Sequence, residues 1–149
     1  KPITDNAEVQ QIRILHHTKD RLHPSDGSIG LHWLGVGFHA PEFHIVDFLG
    51  KAEPHIASTQ PKVGPIGHNR WDYEYAFQNY NIAIIPHSDV TVSTVSSLGF
   101  SLVQKDFMFW EEVALFLMSS GEYTYLPAKT FGNDSFGAFV RNDLVAKFQ

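Results

Sequence analysis

Residues 82–86, Ile-Ala-Ile-Ile-Pro, restrict the fold more than any other stretch of the chain. The run is apolar at four consecutive positions and ends in Pro86, and His87-Ser88-Asp89 reads as a loop at the strand's end. A strand with one wet face would alternate apolar and polar residues, whereas a continuous run fits a strand covered on both faces. Such a strand needs a layer on each side, so the chain is expected to form a layered α/β domain. At 149 residues it is long enough to bury a core and suits one domain.

The remaining patterning agrees. Residues 6–22 read as a helix with Ala7, Val9, Ile12, Leu15 and Leu22 on its apolar stripe and Asp5 or Asn6 as cap. Ser28–His32 and Phe43–Phe48 read as strands, separated by Trp33–Phe38, whose two glycines suit a tight turn. A short helix is expected over Ala52–Ser58, with Pro54 tolerated in its first turn. A second helix runs to Asn79, with Asn69 as N-cap, Asp72 at the third helical position, and Trp71 and Tyr75 buried. Val90–Leu98 fits a strand or a helix, and Gly99–Lys105 a short strand. Asp106–Met118 reads as a helix burying Trp110, Val113, Ala114, Leu117 and Met118, followed by strands at Tyr123–Leu126 and Phe136–Arg141. The expected fold is therefore a single α/β domain over 1–149, a small mixed β-sheet flanked by helices.

Several chemistries lack their motifs. The absence of cysteine removes disulfides, thiolate metal sites and a thiol nucleophile. The nine histidines are scattered, and no His-Glu-x-x-His pair shares a helical face. Gly-x-Ser-x-Gly and the two glycine-rich phosphate-binding patterns are missing. A net charge of −5 without a basic cluster argues against nucleic acid as a partner. No apolar run approaches the roughly 20 residues that span a bilayer. The chain starts at Lys1 with no signal-like segment, which we read as a mature product or a piece of a larger protein.

Polar chemistry is concentrated between Phe43 and Asp72. Asp47 ends an apolar strand just before Gly50, where ligands of α/β sheets commonly bind, and Lys51 is near enough in sequence to pair with it. Asp47 can equally hold loop amides as a structural group. His68 is a candidate base or hydroxyl ligand, or a loop histidine held by its neighbours. Asn69 and Asp72 have an explanation in helix capping. Trp71 can stack on a sugar face or serve as a buried anchor.

Two runs carry a resemblance. Ile45-Val46-Asp47-Phe48-Leu49-Gly50-Lys51-Ala52-Glu53-Pro54-His55-Ile56-Ala57 is followed, after a Pro/Gly loop, by Gly64-Pro65-Ile66-Gly67-His68-Asn69-Arg70-Trp71-Asp72. Their order and spacing resemble a signature in the C-terminal soluble region of bacterial polytopic GT-C-type glycosyltransferases, the arabinofuranosyl- and mannosyltransferase-like membrane proteins that use polyprenyl-phosphate sugars. The likeness spans Gly27 to Pro86. Arg70 stands where lysine is common, and Phe38-His39 where paired tyrosines are common. The resemblance implies a periplasmic domain on the extracytoplasmic face of the inner membrane, with its own transmembrane region as partner and a glycolipid or polysaccharide acceptor. It implies that the catalytic acid lies outside this chain, that no cofactor is held here, and that Asp47, Lys51, His68, Asn69, Trp71 and Asp72 bind substrate or brace the active site. Two other readings are an independent carbohydrate- or ligand-binding module and a small hydrolase using Asp47 and His68.

Overall fold

The computed structural model describes residues 6–62, 66–98 and 108–149. Helix α1 (Ala7–Arg21) leads into strand β1 (Ser28–Leu31), a 3₁₀ segment (Leu34–His39) and strand β2 (Ile45–Asp47). Helices α2 (Pro54–Ser58) and α3 (Tyr73–Asn79) precede β3 (Ile82–Ser88). Helices α4 (Asp89–Leu98) and α5 (Met108–Ser120) follow, then β4 (Tyr123–Leu126), a 3₁₀ turn (Ala128–Phe131), β5 (Phe136–Arg141) and a closing 3₁₀ segment (Asn142–Phe148).

The strands form one mixed sheet in the order β2-β1-β3-β5-β4. β2, β1 and β3 are parallel, and β5 pairs antiparallel with both β3 and β4. The expected α/β class is therefore observed. The central strand is β3, buried at every position from Ile82 to His87. The loop expected at His87-Ser88-Asp89 is instead the paired end of this strand and the start of α4, because β5 pairs with it through Ser88. Its Ile84 joins a core beneath α1 and the closing 3₁₀ segment, with Ile14, Leu15, Val140 and Phe148. Its Ile85 joins a second core beneath α3, α4 and α5, with Phe48, Ala76, Val113 and Phe139.

The turn at 33–38 is present as the 3₁₀ segment, and the strands at 123–126 and 136–141 form where the pattern places them. Other expectations need correction. The buried stripe of α1 is Gln10, Gln11, Ile14, Leu15 and Thr18, while Ala7 and Val9 are exposed. The rotation follows from Gln10, whose Oε1 accepts the amides of Asp134, Ser135 and Phe136 at 2.9–3.2 Å. A buried amide that satisfies three backbone donors is worth more there than an alanine methyl. Asn69 is not the cap of α3, and Asp72 is not inside the helix. Asp72 itself is the N-cap, its Oδ1 accepting the Tyr75 amide at 3.0 Å, because Trp71 is drawn into the core one residue before that cap. Val90–Leu98 is helical. Met118, expected inside, is 40% exposed. The strand expected at Gly99–Lys105 and the start of the helix at Asp106 lie outside the described residues.

The connections shape the carboxyl edge of β1 and β3. After β1 the chain turns toward α1, against which Leu34–His39 packs. After β3 it runs directly into α4, whose Val92 belongs to the opposite core. Neighbouring parallel strands whose connections leave on opposite faces open a crevice at their carboxyl ends, the usual ligand position in such sheets. Among the described residues no helix is long and apolar enough to cross a membrane.

Candidate functional site

Asp47 ends β2, opposite Leu31 of β1. It is 2% exposed. Its Oδ1 accepts the Leu49 amide at 3.1 Å and its Oδ2 accepts the Ala52 amide at 2.6 Å. The carboxylate thus closes the turn that contains Gly50, whose φ of 71° favours glycine. A Cβ there would lie 2.7 Å from the Ala57 amide nitrogen, so the turn also seats directly on α2. The expected Asp47–Lys51 ion pair is not formed, because both carboxylate oxygens are already engaged by backbone donors. Lys51 borders one hollow with Glu8, Trp33 and Phe38, and it also lines a cleft.

That cleft has a volume of about 410 Å³, with Gly50, Lys51, Pro61, Ile66, Asn69 and Arg70 in its walls. Its two sides come from the two halves of the 45–72 stretch. They are tied together by Arg70, whose Nη1 donates to the carbonyls of Ala57 (2.5 Å) and Thr59 (3.0 Å). The Lys62 amide adds a bond to the Asn69 carbonyl at 2.6 Å. Lys51 and Asn69 therefore share a site, and Arg70 joins them.

His68, Trp71 and Asp72 lie apart from it. His68 is half-buried with its ring 6.1 Å from that of Phe109. Asp47 and His68 share no hydrogen bond, ion pair or cleft, so the dyad that a hydrolase needs is not assembled. Trp71 is 1% exposed and its Nε1 donates to Glu112 at 2.9 Å. Lys62 Nζ sits 4.6 Å from the indole centroid, so Trp71 is a buried anchor without an open face for a sugar. Asp72 caps α3 and pairs with His55 Nε2 at 3.1 Å. Burial raises the Asp72 pKa, but the Tyr75 amide and His55 outweigh it and hold the carboxyl below its usual range.

A second group gathers at the carboxyl ends of β1 and β3. His32, directly after β1, donates from Nε2 to the Tyr73 hydroxyl (2.8 Å), which donates onward to the Phe109 carbonyl (2.6 Å). His87, in β3, donates from Nε2 to the Trp110 carbonyl (2.7 Å) and accepts the Ser88 amide at Nδ1 (2.9 Å). Its ring stacks on Trp110 at 3.8 Å. Trp33, 40% exposed, meets Trp110 edge-on at 5.2 Å. Burial pushes His32 well below the usual imidazole range, with His87 adding repulsion, and brings His87 down to about 4. Both rings are neutral at pH 7. The residue-level reading missed this cluster. The available signal was that His32 and His87 each follow an apolar strand run, in the positions that deliver side chains to the carboxyl edge.

Among the described residues no group of three or more His, Asp or Glu is arranged to hold a metal. A scan against protein-family models finds no match, and searches of curated proteins and of solved structures find none either.

Proposed function

We propose that this chain is the extracytoplasmic domain of a bacterial membrane glycosyltransferase that uses a polyprenyl-phosphate sugar. The domain is not catalytic alone. It shapes the acceptor or sugar site beside a transmembrane region that supplies the catalytic acid. One observation carries the reading: the two runs that resemble the GT-C signature, separated by a Pro/Gly loop, face each other across one cleft. In this reading Lys51, Asn69 and Arg70 address the ligand, while Asp47, Trp71 and Asp72 hold the walls.

The test is made in the full-length gene product. Lys51→Gln removes a positive charge and Asn69→Ala an amide donor from the cleft, without touching the core. A hydrogen bond involving a charged group contributes roughly 1.5–3 kcal/mol, so Lys51→Gln should lower glycolipid output about tenfold or more at unchanged protein level. Normal output from both variants, with the fold intact by circular dichroism, would overturn the proposal.

A further inference from the structure

Among the described residues, the walls of the cleft contain two cationic side chains and no carboxylate. This is unexpected in a chain of net charge −5. The single acid between Lys51 and Arg70 is Glu53, which is buried and turned to other tasks. Its Oε2 caps α2 at the Ile56 amide (2.7 Å) and its Oε1 accepts the Tyr80 hydroxyl (3.0 Å). Asp47 is likewise occupied by its two amides. Neither acid lies in the walls of the cleft, and Glu8 shares a separate hollow with Lys51.

The donors around it are also unspent. Lys51 makes no ion pair or hydrogen bond with a described residue, and the Asn69 side chain makes no hydrogen bond with one. Arg70 uses only Nη1, on the carbonyls of Ala57 and Thr59. Those two bonds fix the guanidinium plane and leave Nε and Nη2 free of described partners. A guanidinium held by two carbonyls, an ammonium and an amide NH₂ thus line one hollow. A tetrahedral oxyanion accepts such donors, and guanidinium forks match it in geometry as well as charge. Ile66, 96% exposed, and Pro61 add an apolar edge beside the charged end.

We propose that the cleft binds a phosphate ester, its phosphoryl oxygens held by Lys51, Arg70 and Asn69. The inference deepens the functional reading above and rests on the same cleft, but it is tested separately. Inorganic phosphate, hexyl phosphate, glucose 1-phosphate and uncharged glucose are titrated into the 149-residue chain by calorimetry at low salt. Saturable binding of the phosphates and none of glucose is expected, weakening as salt is added because the attraction is screened. Lys51→Gln should weaken it about tenfold. Asn69→Asp, a change of similar shape that puts a carboxylate into the cleft, should abolish it. Tighter binding of hexyl phosphate identifies a lipid phosphate, and tighter binding of glucose 1-phosphate a free sugar phosphate; either supports the site. The proposal is overturned by the absence of saturable phosphate binding, by glucose binding as well as the phosphates do, or by phosphate binding that ignores both substitutions in folded protein. A chain that binds phosphate esters through Lys51, in a full-length protein whose glycolipid output ignores both Lys51→Gln and Asn69→Ala, keeps the oxyanion site and sinks the transferase reading.

Discussion

Asp47 shows how one side chain can look catalytic and be architectural. It ends a parallel strand at the edge where ligands bind, yet its two oxygens are consumed by the amides of Leu49 and Ala52. Asp47→Asn keeps the volume but offers one acceptor and turns an NH₂ toward a backbone donor. The cost of leaving a buried donor unsatisfied is about 1–3 kcal/mol. Chemical denaturation should register that loss directly. A variant as stable as the parent would mean that the carboxylate does not hold the turn. The position of Asp47 at a strand end was legible in the sequence, because an apolar run followed by an acid and Gly50 marks such an end. Its role was not, since the choice between a ligand and two local amides depends on where the chain bends next. Trp71 was ambiguous for a similar reason: its burial is decided by α5, which supplies Glu112 from forty-one residues away.

At the scale of elements, β1 and β3 bring His32 and His87 into one buried aromatic cluster with Trp110. No local pattern could pair residues fifty-five positions apart in sequence, so this part of the carboxyl edge became visible only with the sheet order. The arrangement has a pH consequence. Both imidazoles bind protons more weakly when folded than when unfolded, so the unfolded chain takes up protons first as pH falls. Their contribution is fully present above about pH 6.5 and is lost as pH drops from there toward the folded value, about 4 for His87. At about 1.4 kcal/mol for each tenfold change in proton affinity, His87 alone removes on the order of 2 kcal/mol by pH 5. Asp26, Asp72 and Asp143, all held below the usual carboxylate range, act in a lower window, as pH falls from the usual carboxylate value through their own. Unfolding free energy measured between pH 7 and pH 5 should fall in the parent chain and fall less in His87→Gln. Identical slopes in the two proteins would show that His87 is not buried and neutral. The element boundaries themselves were largely readable from apolar period and caps. The cap of α3 was displaced from Asn69 to Asp72 because tertiary burial of Trp71 overrides the local choice.

For the molecule as a whole, the central run that opened the sequence reading is also what couples its two cores. Ile84 and Ile85 are adjacent in β3, yet one is packed under α1 and the other under α3, α4 and α5. β5 repeats the device, with Val140 on the first side and Phe139 on the second. Neither core can lose its packing without losing a face of the same strands, so the two should unfold together. A domain of this size commonly behaves in a two-state manner. Ile84→Ala and Ile85→Ala each remove a fully buried side chain, a change that costs roughly 2–5 kcal/mol. If the sheet couples the layers, each variant should lower the midpoint seen by far-ultraviolet circular dichroism and by tryptophan fluorescence equally. This holds although Trp71 and Trp110 both report from the side of Ile85. Under Ile84→Ala, a fluorescence transition that stays at the parent midpoint while the helical signal shifts would show two independent cores. The layered architecture would then be two stacked units that share a sheet, and the cleft at 45–72 would depend on the second core alone.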